Sequence, residues 1–279
     1  MNPLVSPAWL AEHLKDPTVV IVDATLPPVG VTPPVDTRAQ YLAAHIPGAV
    51  FFDIDELSDH STPLPHMLPT PEAFSRAMSS LGIGDQITIV VYEQAGVFSA
   101  PRARWMLRSF GAPSVCILDG GLPAWTEAGL PTESGPVKRE VAAFHATFEH
   151  NAVRNFAQIR SLIAGHAQIL DARSSGRFTG SAPEPRSGLS SGHMPGAIST
   201  PFTDLAEDGR LKSPGQLREY FAAKGVDLEK PITTTCGSGV TAAVIALGLE
   251  LAGAKSVSLY DGSWAEYAQR PEAVIEKTS

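Results

Sequence analysis

The chain has 279 residues, with 29 acidic and 21 basic side chains and a formal net charge of −8. This acidic balance argues against nucleic acid or an anionic membrane as the main partner. No apolar run approaches the roughly 18 residues needed to span a bilayer. The first residues show neither a basic nor a long apolar region of a signal peptide, so we expect a cytoplasmic protein.

Cysteine and histidine usage narrows the chemistry further. The two cysteines, Cys116 and Cys236, form no CxxC pair and no disulfide framework, which is typical of a reducing compartment. The eight histidines are scattered without the spacing of a zinc set. We therefore expect no metal site and no cofactor.

Short apolar runs alternate with helical patterns along the chain. In chain order, the predicted elements are a strand at 19–22, a helix at 71–81, a strand at 87–92, a helix at 101–110, and strands at 115–118 and 169–171, followed by a helix at 213–223, a strand at 232–235, a helix at 241–251 and a strand at 257–259. Strands that alternate with helices predict an α/β fold with a mostly parallel sheet flanked by helices.

The two halves of the sequence repeat the same landmarks in the same order. His45-Ile-Pro-Gly-Ala49 recurs as His193-Met-Pro-Gly-Ala197, and the Asp-Gly pair at 119–120 recurs at 261–262. Such a repeat indicates two copies of one domain. We expect one domain at 1–134 and the other at 153–279. The segment 135–152, rich in polar residues and without periodicity, would be the linker.

The strongest functional signal surrounds Cys236. A β-branched run ends at Thr235, a small-residue loop follows the cysteine, and helical spacing begins at Val240. A thiol in this position meets free backbone N–H groups and the positive end of the helix dipole, which favour the thiolate. The alternative is a small buried cysteine that packs beneath the helix.

The loop after the cysteine also predicts an anion-binding nest. A thiolate can attack a sulfur donor and keep the sulfur as a persulfide. Backbone N–H groups can stabilise that anion, and we expect them to come from Gly237, Gly239, Val240, Thr241 and Ala242. The glycines also fit an ordinary tight turn, which is compatible with this role. A cysteine phosphatase would need an arginine at position 242, where this chain has alanine.

These motifs, taken in order, resemble those of the two-domain rhodanese-type sulfurtransferases. The resemblance covers nearly the whole chain and is nearest to the branch that uses 3-mercaptopyruvate. It rests on motifs that include His45-Ile-Pro-Gly-Ala49, Ser99-Ala-Pro-Arg102, Pro183-Glu-Pro-Arg186, Cys236-Gly-Ser-Gly-Val-Thr-Ala242 and Tyr260-Asp-Gly-Ser-Trp264. It implies tandem rhodanese-like domains, of which only the second is catalytic. The first copy has Glu93 where the second has Cys236.

The resemblance also implies roles for residues outside the cysteine loop. Arg177 and Arg186 would bind the carboxylate and carbonyl of the donor, since an arginine forks well onto a carboxylate. Two solvated loop arginines, or a pair with Glu184, are the alternatives.

A proton relay is the second implied feature. Ser238, His66 and Asp55 would form a relay that protonates the pyruvate enolate. Otherwise His66 is a loop histidine that packs on its neighbour, and Asp55 is a helix cap.

The two residues after the cysteine bear on the choice of donor. By the resemblance, thiosulfate-specific members carry basic residues there, whereas this chain has Gly237 and Ser238. We therefore expect transfer of sulfur from 3-mercaptopyruvate to a thiol, such as thioredoxin or glutathione, or to cyanide. Thiosulfate:cyanide transfer is the second hypothesis, and a non-catalytic rhodanese-like binding protein is the third.

Overall fold

The computed structural model describes residues 2–31 and 33–278. The chain forms two compact units. The first comprises Met1–His60, Leu68–Glu149 and Asp208–Arg210, and the second comprises Ser61–Met67, His150–Glu207 and Leu211–Ser279. A short segment from the first half of the sequence, Ser61–Met67, thus belongs to the second unit.

The first unit is built on a parallel sheet of five strands. In chain order these are β1 (Leu4–Val5), β2 (Val19–Asp23), β3 (Val50–Phe51), β4 (Thr88–Tyr92) and β5 (Ser114–Leu118). They lie side by side in the order β1-β5-β4-β2-β3, and each neighbouring pair is parallel. All five residues of β2 are buried, as expected for an inner strand with both faces covered.

The helices that accompany this sheet are α1 (Pro7–Glu12), α2 (Thr37–Ala43), α3 (Pro71–Ser80), α4 (Ala100–Ser109) and α5 (Gly121–Glu127). Helix α3 begins where the sequence predicts, because the Thr70 side chain accepts the N–H of Ala73 and Pro71 fills the first helical position. The loop from β4 to α4 begins at Glu93, directly after the strand.

The second unit repeats this architecture. Its strands are β6 (Val153–Arg154), β7 (Gln168–Asp171), β8 (Ile198–Ser199), β9 (Ala206–Glu207), β11 (Ile232–Thr235) and β12 (Val257–Tyr260). The short strand β10 (Arg210–Leu211) pairs with β9, and its first residue, Arg210, is counted with the first unit. The parallel sheet has the order β6-β12-β11-β7-β8, with β11 at its centre. Parallel sheets in both units confirm the predicted α/β class.

The helices of the second unit are α6 (Phe156–Ala164), α7 (Ser175–Thr179), α8 (Pro214–Ala223), α9 (Val240–Ala252) and α10 (Ser263–Tyr267). Ser213 and Gln216 form a capping box at the start of α8. Nine of the 13 residues of α9 are buried, so this helix belongs to the core. Among the residues that the structure describes, no helix is long and apolar enough to cross a membrane.

Candidate active site

Cys236 directly follows the central strand β11 and precedes the first turn of α9. The residue is 2% exposed. Gly239 caps α9 with a φ of 79°, a left-handed conformation that suits glycine because it has no Cβ. Helix α9 begins at Val240, so Val240, Thr241 and Ala242 form its first turn, where backbone N–H groups have no partner within the helix. The thiol therefore stands beside a set of backbone donors.

The start of α10 holds the backbone of the cysteine loop. The N–H of Trp264 donates to the Cys236 carbonyl at 2.9 Å, and the N–H of Ala265 donates to the Gly237 carbonyl at 2.9 Å. The C=O and N–H of a trans peptide point in opposite directions. The N–H groups of Gly237 and Ser238 consequently point away from α10.

Ser238 lies within hydrogen-bonding distance of a histidine from the first half of the chain. Its Oγ is 3.0 Å from Nδ1 of His66, and both residues are buried. His66 has a φ of 60°, which is uncommon for a residue with a Cβ. The structure therefore brings together two of the three residues predicted for a proton relay.

Arg177 and Arg186 converge on Gly237. A methyl group added to Gly237 would lie 2.8 Å from Nη2 of Arg177 and 3.8 Å from Nη1 of Arg186. A residue with a side chain at this position would displace the end of the Arg177 side chain. Glycine thus lets a guanidinium reach the backbone next to the cysteine, which places positive charge beside the loop without a basic residue in it.

Glu184 fixes the orientation of Arg177. Its carboxylate accepts Nε of Arg177 at 3.1 Å and Nη2 at 2.6 Å, and the Glu184 side chain is 2% exposed. The pairing that the sequence left as an alternative to substrate binding is therefore present. It uses the Nε–Nη2 edge of the guanidinium, and the Nη1–Nη2 edge remains available for an incoming carboxylate.

Glu184 also belongs to a buried ion-pair network. It accepts Nη1 of Arg173 at 2.8 Å, and Arg173 forks onto Asp171 at the end of β7. The Arg173 guanidinium stacks over the Trp264 ring at 4.0 Å. These charges anchor the arginine-bearing loop to the sheet, since a buried charge is stable only when it is paired.

The equivalent loop of the first unit contains its own anion. The Glu93 carboxylate accepts the N–H groups of Phe98 at 2.7 Å, Ser99 at 3.0 Å and Ala100 at 3.1 Å, and also the Ser99 hydroxyl at 3.1 Å. Burial raises the pKa of Glu93 to about 7, and the hydrogen bonds oppose that rise. A carboxylate thus fills the donor array in the copy that has no thiol.

Asp55 lies in the first unit, in an exposed turn after β3. It lines a cleft of about 510 Å³ together with Arg38, Asp53 and His60. Its place in a relay with His66 and Ser238 stays a prediction. Across residues 2–31 and 33–278, no cluster of three or more histidine, cysteine or acidic side chains could hold a metal ion.

Sequence reasoning missed two contributors to this site. Arg173 follows Asp171 by two positions at the end of a buried strand, a pattern that could have indicated a local ion pair. Ser263 contacts the N–H of Cys236, and the signal for it was the change from Asp-Gly-Gly at 119–121 to Asp-Gly-Ser at 261–263.

Comparison with known proteins agrees with this geometry. A family model for the Rhodanese-like domain matches residues 6–128 and 156–270. The chain is 46% identical to the 3-mercaptopyruvate sulfurtransferase of Escherichia coli strain K12, over 96% of this chain and 95% of that protein. It is 43% identical to the 3-mercaptopyruvate sulfurtransferase of Homo sapiens, over 98% of this chain and 95% of that protein.

A solved structure extends the comparison to three dimensions. The crystal structure of the 3-mercaptopyruvate sulfotransferase SseA from Escherichia coli matches with a TM-score of 0.88 at 44% identity, covering 95% of this chain and all of that one. The chain belongs to the rhodanese family and carries two copies of its domain.

Proposed function

We propose that this protein is a 3-mercaptopyruvate sulfurtransferase, which moves sulfur through a persulfide on Cys236 and releases pyruvate. One observation carries the choice of donor: Arg177 and Arg186 converge on Gly237, next to a cysteine loop that has no basic residue of its own. A planar guanidinium suits the carboxylate of a 2-oxo acid. The high identity to 3-mercaptopyruvate sulfurtransferases over nearly their whole length supports the same donor.

The first half-reaction loads the enzyme. The Cys236 thiolate attacks the sulfur of 3-mercaptopyruvate, the new S–S bond forms, and the C–S bond of the donor breaks. The electron pair of that bond passes to carbon and leaves the enolate of pyruvate, which takes up one proton. The N–H groups of Gly237 and Ser238, held away from α10, and those of Val240 to Ala242 would stabilise the sulfur anion.

The proton for the enolate would come from Ser238 and His66. Their 3.0 Å separation allows a proton to pass between hydroxyl and imidazole. Asp55 is the proposed third member of this relay, which would keep the imidazole in the required tautomer.

The second half-reaction discharges the persulfide. An acceptor thiolate attacks the outer sulfur, forms its own persulfide and returns Cys236 as thiolate. We propose a thiol acceptor of the thioredoxin or glutathione type, or cyanide, which would leave as thiocyanate. Thiol acceptors and two unpaired cysteines fit a cytoplasmic location.

The domain at 1–134 would be non-catalytic, with 135–152 as linker and 153–279 as catalytic domain.

Intact-protein mass after exposure to 3-mercaptopyruvate tests the mechanism. The wild-type protein should gain the mass of one sulfur atom and release pyruvate, and Cys236→Ser should gain none. Added sulfur that survives Cys236→Ser would exclude Cys236 as the carrier. The ratio of kcat/KM for 3-mercaptopyruvate and thiosulfate tests the donor, and a higher value for thiosulfate would favour the second hypothesis.

A further inference from the structure

Ser263 adopts a backbone conformation that serine rarely takes. Its φ is 48°, inside the left-handed region where a Cβ is crowded by the backbone. The residue is completely buried. At the matching position of the first unit stands Gly121, with a φ of 58°. Glycine reaches that conformation without crowding, so the second unit carries a strained residue where an unstrained one would fit the backbone.

Hydrogen bonds show that the two positions are equivalent. In each unit, the next residue along the chain donates its N–H to the carbonyl of the first loop residue. Leu122 donates to Glu93 at 3.0 Å, and Trp264 donates to Cys236 at 2.9 Å. This hydrogen bond is therefore common to both copies, although the preceding glycine differs in backbone conformation, with a φ of 80° at Gly120 and −62° at Gly262.

In the second unit, two residues, Ser263 and Ala265, make contacts beyond this shared one. The Ser263 Oγ accepts the N–H of Cys236 at 3.3 Å and donates to the Tyr260 carbonyl at 2.8 Å. Ala265 donates its N–H to the Gly237 carbonyl, whereas Pro123 at the matching position of the first unit has no N–H to donate. Both additions fall on the copy that has the thiol.

From this difference we infer that Ser263 is a positioning residue for the sulfur-carrying loop. Its hydroxyl fixes the backbone of Cys236, and this role explains why a serine occupies a strained position that glycine would fit without strain. The inference rests on the proposed function only in that the loop carries sulfur. Strain held in place by its surroundings is typical of functional sites. Here the surroundings are three contacts from Ser263, Trp264 and Ala265 to the first two residues of the loop.

These contacts set the direction in which the backbone N–H groups of the cysteine loop point. The Cys236 N–H and the carbonyls of Cys236 and Gly237 are held on the side of α10. The N–H groups of Gly237 and Ser238 therefore face the opposite side, where the sulfur anion would form. Loss of the Ser263 hydroxyl removes one of the contacts that hold Cys236 and leaves the bond from the Trp264 N–H to the Cys236 carbonyl. A displacement of about 1 Å in such a site costs roughly a hundredfold in rate.

Two variants separate positioning from strain. Ser263→Gly removes the hydroxyl and also the crowding, and Ser263→Ala removes the hydroxyl but keeps the Cβ. We expect kcat to fall about tenfold or more in both, with KM for 3-mercaptopyruvate within about twofold of wild type, because Glu184 and not Ser263 holds Arg177 in place. Ser263→Gly should melt no lower than Ser263→Ala. His166→Gly is the matched control, since exposed His166 also has a left-handed φ, of 52°, and its kinetics should not change.

A second measurement needs no sulfur donor. The rate of alkylation by iodoacetamide, measured from pH 5 to pH 9, reports Cys236, because burial raises the pKa of Cys116 to about 11 and makes that thiol unreactive. The midpoint of the alkylation profile should move upward in both Ser263 variants. Wild-type kcat together with an unshifted midpoint in Ser263→Gly would overturn the inference. A shifted midpoint in a protein that takes no sulfur from 3-mercaptopyruvate would refute the proposed function and leave the role of Ser263 standing.

Discussion

The Nδ1 atom of His66 lies 3.0 Å from the Oγ of Ser238, although 172 positions of the chain separate the two residues. His66 holds this place in a left-handed conformation, which costs about 1–2 kcal/mol for a residue with a Cβ. The contact stands two residues after the thiol. This distance is the one expected between two groups that pass a proton toward the enolate carbon of pyruvate.

Removal of the imidazole should therefore slow the first half-reaction. Asn tolerates the left-handed conformation, so His66→Asn keeps the backbone and loses the titratable ring. We expect pyruvate release to fall about a hundredfold, with Ser238→Ala similarly affected. The double variant should be no slower than the slower single variant, because the two groups act as one unit. His166→Asn is the control, because it makes the same substitution at a histidine with a similar φ. Full activity of His66→Asn would show that His66 takes no part in a proton relay.

Arg177→Lys tests recognition of the carboxylate. Lysine keeps the charge but loses the planar fork, both toward Glu184 and toward the donor. The KM for 3-mercaptopyruvate should rise about tenfold, with a smaller change in kcat. Steady-state pyruvate release measures both. Arg218→Lys, on the exposed side of α8, should behave as wild type, and an unchanged KM for Arg177→Lys would exclude this arginine from donor binding.

Glu184→Gln tests whether the buried carboxylate orients Arg177. Gln keeps one acceptor oxygen and places an amide group against the guanidinium groups of Arg173 and Arg177. Loss of charged hydrogen bonds should lower the free energy of unfolding by about 2 kcal/mol. The KM should rise as in Arg177→Lys. Denaturant unfolding and kinetics check the two effects, with exposed Glu229→Gln as control. A wild-type free energy of unfolding and a wild-type KM in Glu184→Gln would show that Arg177 keeps its orientation without the Glu184 carboxylate.

Glu93 predicts a pH dependence of stability. Burial raises its folded pKa to about 7 from an ordinary 4.5, so the folded state binds more protons than the unfolded state between these values. The contribution of this residue is fully present below about pH 4.5 and is lost as the pH rises through about 7, with a total near 3 kcal/mol. Glu93→Gln mimics the protonated form. The difference in unfolding free energy between Glu93→Gln and wild type should shift in favour of the variant from pH 4.5 to pH 7 and then stay constant, because only the wild-type side chain titrates there.

The measurement is a set of urea unfolding curves at several pH values. Glu229→Gln again serves as the control, because an exposed carboxylate should not change the pH profile. A margin that is constant across this range would show that the carboxylate keeps its ordinary pKa in the folded protein.

Much of the fold follows from the sequence because its main signals are local. The β-branched run Ile232–Thr235 and the capped start of α8 need no long-range information, and both lie where the pattern places them. Edge strands β1, β3, β6 and β8 have two residues each, too few for a period-two pattern. They could be found only from their pairing partners.

The residues of the candidate site also divide into those that local sequence predicts and those that depend on packing. The position of Cys236 between strand and helix is local and was predictable. For Arg177 the sequence leaves three possibilities open: substrate binding, a solvated loop arginine, or pairing with Glu184. The structure has the pair, and Nη2 still reaches Gly237. Side-chain geometry of this kind depends on the packing of a loop against a sheet, which no spacing in the sequence encodes.

The placement of Ser61–Met67 in the second unit has an evolutionary consequence. After duplication, a copy without a thiol would be expected to accumulate changes freely. Here the thiol-free half of the sequence supplies a histidine that contacts the cysteine loop of the other copy. A recombination event between the two halves of the gene would therefore separate Cys236 from this imidazole.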